Sequence, residues 1–274
     1  VTAFRWSPQA RVLPYLEETT LYRNIDFSFD YNLLGLDGTM HATEDEALAA
    51  GILKATRVDV LQCPSERRDE VRVTSDGTPR DYPLNYAVNA GVWKVFDPAN
   101  PGENSGAFVP GKGLSAGRYT DGLSKTLMLA EVKAYMPYKR DGKNGPTDIP
   151  DPDNPGAICG FGGDEKADSG HTEWIDGRVH QAGFTTTFTP NTKVVCSISG
   201  QEVDSDFNDY RIRTPVDPTD PITFAAVTSR SYHPGDVVNT ARMDGSVHSV
   251  AANVEIEIWR GQATRNGGEV VSDD

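Results

Sequence analysis

Val237-Val-Asn-Thr-Ala-Arg-Met243-Asp244-Gly245-Ser-Val247-His-Ser-Val-Ala251 reads as a β-hairpin. Glycine takes positive φ without penalty, so an Asp-Gly pair between alternating segments marks a tight reversal. Val237, Asn239, Ala241 and Met243 share one face, and Val247, Ser249 and Ala251 alternate after the turn. Asn253 is then placed to cap a short helix, with Glu255 and Glu257 in its first turn. Val254, Ile256, Ile258 and Trp259 supply its apolar side, and Asn266-Gly267 offers a C-terminal stop. Hairpin, helix and glycine turn form a packing device that shows no catalytic set.

Working back from this end, the pattern predicts a helix over residues 10 to 25, with Leu13, Leu16, Leu21 and Ile25 on one side and Pro14 in its first turn. A second helix is expected over 43 to 55, where Thr43 and Glu46 have capping-box spacing. Val58-Asp-Val-Leu-Gln-Cys63 reads as a strand ending at Pro64, and Val179 to Phe188 as another. Asp-Gly pairs at 76, 121, 141, 176 and 244 punctuate the chain. Residues 97 to 117, 141 to 156 and 200 to 221 read as long surface loops. The class that emerges is α+β, a helical start followed by antiparallel strands with loop insertions.

Several segments together resemble a large bacterial family of secreted, prepilin-like proteins of unknown function. They are Leu13-Pro-Tyr-Leu-Glu17 with Leu21-Tyr22, Cys63-Pro-Ser65, Asn85-Tyr-Ala-Val-Asn-Ala-Gly91, and Thr120-Asp-Gly-Leu-Ser-Lys-Thr-Leu127 leading to Glu131. A further match, at the end of the chain, is the family's C-terminal signature: His233, Asp244-Gly245, Trp259-Arg260, and Gly267-Gly-Glu-Val270. Ten residues rather than the family's nine separate His233 from Asp244, which predicts a bulge or a longer turn. The resemblance implies a type IV pilin or pseudopilin-like head, one unit over 1–274, with an N-terminal helix packed on an antiparallel sheet. It also implies a cleaved leader and a hydrophobic anchor helix ahead of Val1. That helix would be the only attachment to the membrane, with the head exported to the periplasm or cell surface.

Composition narrows the partners. Forty acidic against 26 basic residues give a formal charge of −14, which repels nucleic-acid backbones and anionic membrane surfaces. No stretch approaches the roughly 18 apolar residues of a membrane span. Cys63, Cys159 and Cys196 allow three pairings, of which Cys159 with Cys196 is preferred. None forms a CxxC pair, so thioredoxin-like or zinc-ribbon chemistry has no support.

The candidates for chemistry are few. Gly113-Leu-Ser115-Ala-Gly117 matches a nucleophile-elbow string but has loop residues on both sides. His171, Glu173 and His180 could form a zinc set if the Asp176-Gly177 turn returns His180 across a hairpin. Asp204, Asp206 and Asn208 alternate like calcium ligands, and pseudopilins bind calcium. Asp209 and Pro215 rule out an EF-hand, since glycine and glutamate belong there. His233 suits a turn-fixing role, and Arg260 and Arg265 could pair with Asp244 or Glu269. Trp93 and Trp174 are the aromatic candidates for holding a glycan.

The sequence therefore leads to a non-catalytic, pilin-like subunit of a surface or secretion-associated assembly. Its partners would be other pilin-like subunits or the secretion machinery, with no cofactor required and calcium as an optional ion. An extracellular glycan-binding module is the alternative, and a metal-dependent hydrolase on His171, Glu173 and His180 ranks below both.

Overall fold

Short helices open the chain and strands carry the rest. The computed structural model describes residues 5–212 and 216–269; Val1, Pro215 and Val270 lie outside them. The predicted helix over 10 to 25 is broken into α1 (Pro8–Val12), a 3-10 turn (Leu13–Leu16) and α2 (Thr19–Tyr22). Glu17, at φ 65°, makes the break. Ser7 caps α1 by accepting from the Ala10 N–H at 3.0 Å, with Pro8 at the first helical position. Helix α3 (Glu44–Ala50) starts at the expected Thr43 cap, whose hydroxyl accepts from the Glu46 N–H. Glu46 reaches back to the Ala42 N–H, and the helix ends at Gly51.

Val58 to Cys63 is not a strand: Asp59–Leu61 form a 3-10 turn. Asn85 overrides the β-propensity by donating its backbone N–H to the Leu61 carbonyl and accepting from the Cys63 N–H. Strands β1 (Arg72–Val73) and β2 (Pro79–Asp81) form a small hairpin. Next come β3 (Tyr86–Asn89), β4 (Lys94–Phe96), β5 (Leu127–Glu131), β6 (Met136–Arg140) and β7 (Asp164–Gly170). The expected strand at 179 to 188 begins instead as a helical turn, α4 (Val179–Ala182), before β8 (Gly183–Phe184).

Strands β9 (Val195–Ile198), β10 (Gln201–Asp204), β11 (Asp206–Asn208) and β12 (Thr223–Ala226) follow, so the first part of the supposed loop at 200 to 221 is strand. The chain closes with β13 (Val237–Arg242), β14 (Val247–Ala251) and α5 (Ile256–Ala263). The final hairpin stands as predicted, with Gly245 at φ 88°. The extra residue before Asp244 coincides with a register shift between Ala241 and Arg242. Helix α5 starts later than expected, with Glu255 rather than Asn253 at its cap.

The result is an α+β protein with two five-stranded sheets. One runs β14-β13-β5-β3-β8, antiparallel except for the β3–β8 pair. The other runs β4-β12-β11-β6-β7, with β11 parallel to β6. Val238 and Thr240 of β13 face inward, while β14 is an exposed edge. Trp259 packs beside Phe184 with Leu127 and Ala87 in one core cluster. Trp93 lies nearly parallel to Phe207 and Phe224 in another. Cys159 and Cys196 form a disulfide, and Cys63 is a buried free thiol. No helix among the described residues is long and apolar enough to cross a membrane.

The indole of Trp259 is fully buried and donates to the Phe188 carbonyl at 3.1 Å. Trp259→Ala should therefore lower unfolding free energy by about 3–5 kcal/mol, measured by urea denaturation. A loss within about 0.5 kcal/mol, typical of a surface change, would contradict this packing.

Candidate functional site

Three strands bring the polar residues of separate motifs to one end of the first sheet. Tyr86 pairs with Glu131 across β3 and β5, and Thr240 pairs with Ala130 across β13 and β5. Glu131, the last residue of β5, thus lies between Tyr86 of β3 and Asn239 of β13. The 3-10 turn at 59–61 delivers Cys63, and the loop entering β13 delivers His233. Tyr232 steadies that loop, its ring contacted by Arg67 and Lys133 at 4.4 and 4.3 Å.

Glu131 is 2% exposed, and both of its oxygens are engaged. Oε2 accepts from the Asn239 backbone N–H at 2.7 Å. Oε1 lies 2.9 Å from His233 Nε2, 3.3 Å from Asn239 Nδ2 and 3.5 Å from Cys63 Sγ. Cys63 Sγ is 3.6 Å from the same His233 nitrogen and 3.0 Å from the Ser65 hydroxyl. Asn85 holds the rim, accepting from the Cys63 N–H and donating to Glu66 and the Val132 carbonyl. Burial, with Cys63 and Glu131 nearby, pushes the Tyr86 phenol up to about 12, so it stays protonated at neutral pH.

One thiol, one carboxylate and one imidazole converge here. They form the only group of three such side chains among the described residues with donor atoms within 4.8 Å of one another. In a nucleophilic triad the imidazole uses one nitrogen for the nucleophile and the other for the acid. Here Nε2 faces both, so a proton relay is not assembled.

Other residues of the quoted motif segments hold the C-terminal segment in place. Asp121 accepts from the Gly267 and Gly268 N–H groups and lies 3.2 Å from the Thr264 hydroxyl. Asn89 donates to the Leu127 and Ala263 carbonyls. Arg260 does not pair with Asp244 or Glu269 but donates to the Pro150 and Thr187 carbonyls. Arg265 likewise donates to the Gly102 and Gly106 carbonyls, pinning the 97–117 loop. Asp244 stays in its turn and accepts from Ser246.

The residues singled out for metal or ligand lie elsewhere. His171 and His180 are both buried, the backbone N–H of the first donating to the carbonyl of the second. Their burial reflects the α4 turn, which replaces the hairpin that was to bring them together on a face. His171 Nδ1 bonds the Gln181 carbonyl, and His180 lies against Tyr138, ring centroids 4.8 Å apart. Glu173 belongs to a different buried charge cluster, with Arg178 at 3.9 Å. Burial, then Asp81 and Asp176, raise its carboxyl to about 7, against relief from Arg178 and Lys54. These residues do not form a convergent zinc set.

Asp204 and Asp206 both bind Arg230, so a calcium ion there would have to displace a buried guanidinium. Asn208 Nδ2 lies 3.4 Å from the Tyr210 carbonyl. Trp93 and Trp174 are buried and offer no platform to a glycan. Ser115 sits in the loop before a 3-10 turn, without the strand an elbow needs. A groove of about 540 Å³ runs past Arg23, Asp26, Phe27 and Asp37 and shares no residue with the Glu131 cluster.

The architecture and the motifs define an α+β protein in which residues of separate motif segments meet at one sheet end. The chain belongs to the family described as protein of unknown function (DUF1559), which matches residues 2–257. No curated protein and no solved structure matches it.

Burial lowers His171 to about 4 and His180 well below the ordinary 6.5, with nearby Arg178 and Arg140 adding to the effect on His180. The unfolded chain takes up protons near 6.5 while the folded chain refuses them, so acidification favours unfolding. Among the described residues, neither His180 ring nitrogen has a hydrogen-bond partner. His180→Phe should gain stability over the parent as pH falls from about 6.5 through 4, read by thermal melts. A gap independent of pH would show that His180 titrates normally.

Proposed function

We propose that this chain is the head of an exported, pilin- or pseudopilin-like subunit, acting through assembly rather than turnover. The observation that carries the reading is how the motif residues are used. Asn85, Asn89, Asp121, Trp259, Arg260 and Arg265 hold distant segments to one another, as an assembly subunit's shape requires. The Cys159–Cys196 disulfide suits an oxidising compartment outside the cytoplasm. The acidic surface suits a soluble head that avoids nucleic acid and anionic lipid.

The pilin-like arrangement itself draws support from α1, which lies against the first sheet. Gln9 donates to the carbonyls of Tyr86 in β3 and Ala182 beside β8. Ala10 and Leu13 enter a core with Trp6, Leu84 and Trp174. An anchor helix ahead of this segment would join α1 through the extended Trp6-Ser7 entry that caps it, and other pilin-like subunits would be its partners.

The test is made on full-length protein taken from its native cells, by alkylating thiols after denaturation and sizing the surface fraction. Of Cys63, Cys159 and Cys196, alkylation of Cys63 alone, with the protein in large surface complexes, is expected. Three free thiols on a cytoplasmic monomer would overturn the reading.

A further inference from the structure

We propose that Cys63, Glu131 and His233 form a binding site for a divalent transition metal, zinc by preference, with the fourth coordination position open. The inference rests on geometry and is independent of the assembly role. Tetrahedral zinc, with bonds of about 2.3 Å to sulfur and about 2.0–2.1 Å to nitrogen and oxygen, needs sulfur–nitrogen and sulfur–oxygen edges of about 3.5–3.6 Å. The corresponding edges here are 3.6 and 3.5 Å. The nitrogen–oxygen edge is 2.9 Å, against about 3.3 Å for the same ion, a difference a small rotation of the imidazole closes.

The partners of the ring nitrogen point the same way. His233 Nε2 faces a carboxylate oxygen, a thiol and the Asn239 amide at 2.9, 3.6 and 3.2 Å. A single ring nitrogen carries either one proton or one lone pair, so it cannot satisfy them all. A cation would take the imidazole lone pair, the carboxylate and the thiolate together, releasing the thiol proton to solvent. The surrounding bonds already aim the donors. Asn239 holds Oε2 of Glu131 and so turns Oε1 inward, while Asn85 fixes the backbone of Cys63.

The donor set chooses the ion. Thiolate and imidazole favour zinc and its neighbours over magnesium or calcium, which want oxygen. Three protein ligands leave one position for water or an exogenous donor. That position lies on the His233 side, where the imidazole is 26% exposed while Glu131 is 2% exposed.

The test uses the folded chain with its disulfide intact, stripped by chelator and titrated with zinc, then with cobalt as an optical probe. One zinc per chain by elemental analysis, a rise in melting temperature, and a thiolate-to-cobalt charge-transfer band are expected. Cys63→Ser should lose the band, His233→Gln should bind zinc at least tenfold more weakly, and His248→Gln, at an exposed site on β14, should bind normally. Circular dichroism verifies that each variant folds, and the parent's cobalt spectrum decides alone where one does not. Absence of stoichiometric zinc, a cobalt complex without the thiolate band, or equal weakening by His248→Gln would overturn the proposal.

Discussion

A buried carboxylate must be answered from every side, and the end of the first sheet is arranged around that demand. An unpaired ionised group in an apolar interior is strongly unfavourable. Glu131 ends a central strand with almost no exposure, so its neighbours must supply donors. β13 supplies the Asn239 N–H, the loop before β13 supplies His233, and the turn after Leu61 supplies Cys63. Even the Glu131 backbone is used, its carbonyl accepting from the Arg230 N–H. Moving β13 would remove the Asn239 N–H from Oε2 and the Asn239 amide from Oε1 together. A requirement set by one side chain thereby fixes the register of three strands.

Arg230 repeats this logic on the second sheet. Its guanidinium is buried between Asp204 and Asp206, and its backbone touches Glu131. The burial that lowers His171 also raises Asp206, whose Oδ2 lies 4.0 Å from the His171 ring, so both groups move towards their neutral forms. Lys54 plays a parallel role near the helical start, held between Glu44 and Asp81. Buried ion pairs add little net stability when weighed against desolvation, but losing one partner is strongly unfavourable. They therefore discriminate between chain paths more than they strengthen the chosen one.

The readable parts of the fold were those fixed by local geometry. Gly245 needs positive φ, Thr43 answers an orphan N–H, and both features sit where the pattern places them. The disulfide preference agrees with the structure as well. Val58 to Cys63 misled because β-branched residues before a proline favour extension, while a distant asparagine took the turn's backbone groups. His171 and His180 misled for a related reason. Residue spacing reports which side chains share a face, and says nothing of whether that face is sealed.

The Glu131 cluster shows why a site can be spelled out in pieces and still stay hidden. Cys63, Glu131 and His233 each stood in a recognised segment, yet contacts between them span 68, 102 and 170 residues. Periodicity reaches only a turn or two along the chain, so convergence at that range must come from topology. The usable signal was indirect: separate motifs each kept a polar residue at the boundary of a strand or turn. A polar residue placed where a strand enters or leaves a sheet can meet its counterparts from neighbouring strands at the sheet's end. Read this way, motifs that lack a catalytic set one by one still describe a common meeting point, and their side chains together determine its chemistry.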